Sequence, residues 1–146
     1  MEAIILMGLQ GSGKSTFVKE YFFRTHIRIN LDMLKTRYRE NYLVDACLHA
    51  KQPFIVDNTN PTVKDRLRYI PKAKQHDFRV IGYFFPPDVE SSLARNQARD
   101  KAEQVPIVAI KSTCKIWEPP SYSEGFDQIY QVQLGESQFF IEEYSH

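Results

Sequence analysis

The sequence predicts an α/β fold: a three-layer sandwich in which a parallel sheet of about five strands carries helices on both faces and a helical lid covers one end. Three observations predict it. Short apolar runs bounded by turn residues alternate with longer segments of helical periodicity along the chain. The first apolar run passes directly into a glycine-rich loop and then into a helix. The length of 146 residues, 42% hydrophobic and 25% charged, suits one domain over residues 1–146 with one covered sheet.

Each element has its own local reason. Ala3 to Met7 is a short run rich in β-branched residues, the first strand. Lys14 to Phe23 has Phe17, Val18, Tyr21 and Phe22 at helical spacing. Ile27 to Asn30 is a second strand. A helix from Met33 to Lys51 turns Leu34, Tyr38, Val44 and Leu48 inward, and Pro53 closes that connection. Phe54-Ile55-Val56-Asp57 is a buried strand that ends on a carboxylate. Pro61 suits the first position of a helix reaching Gln75, with Pro71 kinking it or ending its regular part. Phe78 to Phe85 is the fourth strand, stopped by Pro86-Pro87. A polar helix follows from Asp88, the lid, covering about residues 88–105. Pro106 starts a further helix that ends near Trp117. Asp127 to Leu134 alternates cleanly and is the fifth strand. On such a sheet, ligands bind at the carboxyl ends of the strands.

The loop carries the first chemistry. Gly8-Leu9-Gln10-Gly11-Ser12-Gly13-Lys14-Ser15 matches G-x-x-x-x-G-K-S/T at every fixed position, between a strand and a helix. Gly8, Gly11 and Gly13 let the backbone curl so that N–H groups, including those of Ser12 and Thr16, converge on an anion. Lys14 reaches the outer phosphates of a nucleotide, and Ser15 offers a hydroxyl to Mg²⁺.

Other residues allow two readings each. Asp57 orients water on Mg²⁺ beside Ser15, or it caps a turn. Asn58, Thr59 and Asn60 line a pocket for a phosphoryl acceptor, or they satisfy backbone groups of the turn before Pro61. Asp32 is a general base for an attacking hydroxyl, or the N-cap of the helix it precedes. Arg95 and Arg99, four apart on the lid helix, face one way. They either offset charge on a transferred phosphoryl group or form a wet surface with Asp100 and Glu103. Lys64, Arg66, Arg68, Lys72 and Lys74 make the Pro61–Gln75 helix basic, an ordinary solvated face or one that attracts a polyanion.

The remainder of the composition narrows the class. A net charge of +1 points neither toward nor away from nucleic acid. Cys47 and Cys114 have no metal spacing, and free thiols of a reducing, cytoplasmic setting are the default. His26, His49, His76 and His146 form no ligand set. No apolar stretch has transmembrane length, and the start lacks the basic region of a signal peptide, so no membrane partner is expected.

Several segments together resemble a known family. They are Gly8–Thr16, Ile29–Asp32, Val56-Asp57-Asn58-Thr59-Asn60-Pro61, Arg95–Arg99, Val105-Pro106-Ile107, and Glu118-Pro119 through Ser123-Glu124-Gly125-Phe126. The pattern is similar to the kinase domain of polynucleotide 5′-hydroxyl kinases and to small ATP-dependent kinases related to them, within the P-loop NTPase fold. The resemblance implies that Lys14, Ser15 and the loop amides hold ATP and Mg²⁺. It implies Asp32 as the base on the acceptor hydroxyl and Asp57 as the carboxylate after the third strand. It also implies Arg95 and Arg99 as lid arginines on the ATP phosphates. Lys35 falls where the family's phage member has an arginine for the acceptor phosphate. Two departures lie on the acceptor side. Leu31 replaces the arginine that often precedes the base, and Lys35 lacks the bidentate fork of arginine. The implied activity is transfer of the γ-phosphoryl group of ATP to a hydroxyl: first a DNA or RNA 5′-OH end, alternatively a small-molecule hydroxyl. A switch with slow ATP hydrolysis is the reading from another class.

Overall fold

The computed structural model describes residues 1–145; His146, read above with the scattered histidines, lies outside the described residues. Among them, six strands make one sheet: β1 (Glu2–Met7), β2 (Ile27–Ile29), β3 (Phe54–Val56), β4 (Arg79–Phe84), β5 (Gln128–Leu134) and β6 (Phe139–Glu143). Their spatial order is β2-β3-β1-β4-β5-β6. The first five run parallel, as the alternation predicts. The sixth strand is additional. It returns antiparallel along β5, with Leu134 opposite Phe139. Its sequence, Phe-Phe-Ile-Glu-Glu, has no period-two pattern, and only pairing to β5 makes it a strand.

The helices are α1 (Lys14–Tyr21), α2 (Leu31–Leu34), α3 (Arg37–Ala50), α4 (Val63–Arg66), α5 (Ile70–Gln75), α6 (Val89–Ala98) and α7 (Ile107–Lys115). Successive residues of β1 point to opposite faces of the sheet, and residues 3 to 7 are fully buried on both. Ala3, Ile5 and Met7 meet Val44 and Leu48 of α3, Tyr69, and Ile70 and Ala73 of α5. Ile4 and Leu6 meet Phe17 and Val18 of α1, with Phe85, Val132 and Phe139. Three layers follow. Each large side chain buried this way contributes about 1.5–3 kcal/mol.

Two predicted helices are divided. The Met33–Lys51 segment breaks at Lys35, whose φ is +76°, and Thr36 caps α3 by accepting from the Arg39 N–H. The break resets the helical phase, so Tyr38 is exposed rather than inward. The Pro61–Gln75 segment starts later and breaks once. Thr62 and Asp65 form a capping box on α4. Pro71 lies in the first turn of α5, where its missing N–H costs nothing, and produces no kink. Tyr21 is half exposed against the Phe17 and Phe139 rings, and Cys47 and Cys114 carry free thiols. No helix is long and apolar enough to cross a membrane among the described residues.

Candidate active site

The loop between β1 and α1 sits at the carboxyl edge of the sheet. Gly11 and Gly13 have φ of +78° and +100°, a region that only glycine enters cheaply. A side chain at Gly11 would also strike the Ser92 carbonyl of α6 at 2.6 Å, and Leu134 and Phe139 lie behind Gly13. The Gly8 N–H donates to the Thr59 carbonyl at 2.9 Å, which ties the loop to the turn after β3. Lys14 is buried. Its Nζ donates to the carbonyls of Gly8 (2.8 Å) and Leu9 (2.7 Å) and to Ser12 Oγ (3.3 Å). Burial draws its pKa down to about 8; Asp57 opposes that shift, Arg99 adds to it and Asp32 opposes it.

Ser15 and Asp57 meet at the foot of this loop. Ser15 Oγ donates to Asp57 Oδ2 at 3.0 Å, and the Asp57 carboxylate is almost fully buried. A hydroxyl beside a buried carboxylate is a hard-oxygen pair that suits Mg²⁺. Among the described residues no trio of His, Cys, Asp or Glu is placed to hold a metal alone, so phosphate and water oxygens would complete the shell. Arg28, from the middle of β2, joins the pair: its Nε donates to Asp57 Oδ2 at 2.8 Å and its Nη2 to Ser15 Oγ at 3.3 Å. Sequence pattern alone does not single out Arg28. The available signal was a lone charge between Ile27 and Ile29 in a short strand.

Asp32 is carried by α2, and α2 is capped by Asn30, not by Asp32. Asn30 Oδ1 accepts from the Met33 N–H at 2.9 Å, and Asn30 Nδ2 donates to the Asp57 carbonyl at 2.6 Å. Asn58 Oδ1 takes the Leu31 N–H at 2.9 Å. Asp32 is exposed and makes no hydrogen bond among the described residues. Asn58 is itself held: its Nδ2 donates to Glu40 Oε2 at 2.8 Å and to Tyr69 Oη at 3.3 Å. Glu40 is fully buried and also accepts from Arg37 (2.7 Å) and Tyr69 (3.0 Å). This hub was not legible either, because its members are far apart in the chain.

A cleft of about 460 Å³ brings together Lys14, Ser15, Asp32, Asp57, Asn58, Thr59, Asn60 and Arg99. The two asparagines line it and also satisfy backbone groups: Asn60 Nδ2 donates to the Leu6 carbonyl at 2.9 Å. A wider groove of about 1060 Å³ continues outward past Thr16, Arg28, Asp32, Lys35 and Arg99. Arg95 lies elsewhere. It lines a cavity of about 810 Å³ on the other side of the loop, with Ser12, Gln133, Leu134 and Gly135, and donates to the Gly11 carbonyl at 3.1 Å. The shared face expected of Arg95 and Arg99 is therefore absent. Helix α6 stops at Ala98, and Arg99 has extended φ and ψ. Asn96 holds this bend by bonding both the N–H and the carbonyl of Val105 at 3.0 and 2.8 Å.

The basic helix also needs correction. Arg66 is buried, not part of a wet face. Its guanidinium donates to Glu124 at 2.9 and 3.1 Å, to the carbonyls of Asn60 (3.1 Å) and Pro61 (3.3 Å), and to that of Glu118. Lys72 pairs with Asp45 and Lys74 with Asp127.

Residues 4–118 match the family model AAA_33, described as an AAA domain. A polynucleotide phosphatase/kinase of Acanthamoeba polyphaga mimivirus is 32% identical over 138 residues, covering 90% of this chain and 33% of that protein. The bifunctional polynucleotide phosphatase/kinase of Schizosaccharomyces pombe is 27% identical over 135 residues, with the same coverage of 90% and 33%. The chain thus spans about a third of the length of the curated relatives it matches. Among solved structures, Kti12 of Chaetomium thermophilum in complex with ADP-AlF3 superposes with a TM-score of 0.69 at 15% identity, over 93% of this chain and 91% of that one. A gluconokinase from Sinorhizobium meliloti 1021 superposes with a TM-score of 0.63 at 15% identity, over 93% and 84%. These two similarities speak to the fold.

Proposed function

This chain belongs to the AAA_33 family of AAA domains, and from that premise we propose that it transfers the γ-phosphoryl group of ATP to a hydroxyl, with a polynucleotide 5′-OH end as the first acceptor. One observation carries the reading. A single cleft unites the phosphate-loop lysine with an unbonded carboxylate, Asp32, and opens into a groove edged by Arg28, Lys35 and Arg99. The names of the relatives support the polynucleotide as acceptor, and the kinase half of their names is the chemistry these residues can supply.

In this reading the curled loop amides and Lys14 hold the phosphates. Lys14 gives up its bonds to the loop carbonyls in exchange for phosphate oxygens. Ser15 and, through water, Asp57 would hold Mg²⁺, which when bound neutralises charge on the phosphates. Asp32 accepts the proton of the attacking hydroxyl, its carboxylate oriented by α2. Arg99, at the end of α6, faces charge that develops on the transferred group. Arg95 holds the loop from the other side, and the cavity beside it has room for the remainder of the nucleotide. Residues 88–105 act as the lid. Lys35 and the groove receive phosphates of the acceptor strand.

The test uses γ-labelled ATP with 5′-OH DNA and RNA oligonucleotides and a panel of small hydroxyl compounds, with Lys14→Ala as the inactive control. Label on the 5′ end is the expected result. Transfer only to a small hydroxyl compound would keep the kinase and remove the polynucleotide. Release of phosphate with no labelled acceptor would remove both and leave the nucleotide switch.

A further inference from the structure

We propose that Arg28 is a placeholder for the metal ion: its guanidinium occupies the Ser15–Asp57 site in the metal-free protein and Mg²⁺ displaces it. The inference rests on the assignment of Ser15 and Asp57 as the metal-holding pair.

Three contacts close a ring. Ser15 Oγ donates its one proton to Asp57 Oδ2 at 3.0 Å. Arg28 Nε donates to the same Oδ2 at 2.8 Å, and Arg28 Nη2 donates to Ser15 Oγ at 3.3 Å. The Ser15 hydroxyl has its hydrogen committed to Asp57, so only its lone pairs remain for a cation. Arg28 takes that acceptor side. A metal ion needs the same side, and it also needs the charge of the carboxylate. With the guanidinium on it, the carboxylate has little charge left for a divalent ion held one water away, and the two cations repel.

The placeholder answers a need of Asp57 before metal binds. Asp57 is 2% exposed, and a buried carboxylate without a counter-charge is costly. Its backbone is fixed by the Asp57 N–H donating to the Ile29 carbonyl at 2.8 Å, so it does not turn out to solvent. Arg28 supplies the charge and has an exit. Its side chain is 36% exposed and borders the outer groove with Lys35 and Arg99. Metal binding therefore moves a cation from beneath the phosphates into the acceptor groove, and occupancy of the first site charges the second.

Arg28 is a positioning residue, and its test separates this role from a structural one by the sign of two effects. The melting temperature is measured in EDTA without nucleotide for wild type and Arg28→Gln. ADP binding is measured by calorimetry across a Mg²⁺ series to give the half-effective Mg²⁺ concentration. Arg28→Gln should lower the metal-free melting temperature by about 3–8 °C. It should also lower the half-effective Mg²⁺ concentration by about three- to ten-fold. Arg28→Lys keeps the charge without the second contact; it should melt near wild type and still need less Mg²⁺, which covers the case where Arg28→Gln does not fold. An unchanged or raised Mg²⁺ requirement in the folded variants would make Arg28 a structural support for Asp57 and overturn the placeholder. ADP binding by wild type that ignores Mg²⁺ would overturn the metal assignment itself, and the placeholder with it.

Discussion

Asp32 owes its unbonded carboxylate to two asparagines. Asn30 caps the Met33 N–H and Asn58 takes the Leu31 N–H, so Asp32 is not the cap of α2. Asp32→Asn should therefore leave the melting temperature and the ATP affinity close to wild type. It should lower single-turnover phosphoryl transfer by about 10²–10⁴, the usual range for a lost general base. Transfer within a few-fold of wild type would put the base elsewhere. The sequence leaves Asp32 open as a base or a cap, and helix-end propensity alone does not choose between the two. In the structure Asn30 takes the cap, and Asn58, 27 positions after Leu31, takes the Leu31 N–H. Arg66 was misread for the same reason. Five charged residues in one segment look like a wet face, and nothing local says that Glu124, 58 residues on, draws one of them inside.

At the scale of elements, α6 decides what its two arginines can do. The helix stops at Ala98 because the Asn96 side chain bonds Val105 as a strand neighbour would, and the chain bends past the cleft. Arg95 stays against the loop carbonyl and Arg99 moves to the cleft. Their losses should differ in kind. Arg99→Ala should lower the transfer rate by about 10²-fold or more, with little change in ADP affinity. Arg95→Ala should weaken ADP binding and change the single-turnover rate less. Rate and affinity measured for both variants check the division, and matching profiles would return the pair to one shared face. Periodicity located α6, α3 and α5 but not their ends. Helix ends were set by a side chain reaching across a loop, by a left-handed Lys35 and by a proline starting a turn rather than breaking one. The strand β6 was invisible because its reason to be a strand is its neighbour β5.

For the molecule as a whole, the alternation of strands and helices was enough to give the parallel sheet and the edge where the site lies. What joins distant parts of the chain at that edge is buried charge. Arg66 fastens the turn after β3 to the segment around Glu124, with 0% and 4% of the two side chains exposed. Arg66→Ala strands the Glu124 carboxylate and should cost about 3–5 kcal/mol of stability in urea unfolding. Arg66→Met with Glu124→Leu should recover much of that loss, since the pair is then replaced by apolar bulk of similar size. A double variant no more stable than the single one would mean that the carbonyl contacts of Arg66 outweigh its partner. The backing of Gly13 has a consequence in time. Leu134 and Phe139 lie behind that glycine, so the loop is braced by residues translated more than a hundred codons after it. β1 likewise sits between β3 and β4, both made after it. A nascent chain that has not yet reached β5 and β6 holds the residues of the phosphate loop without their frame.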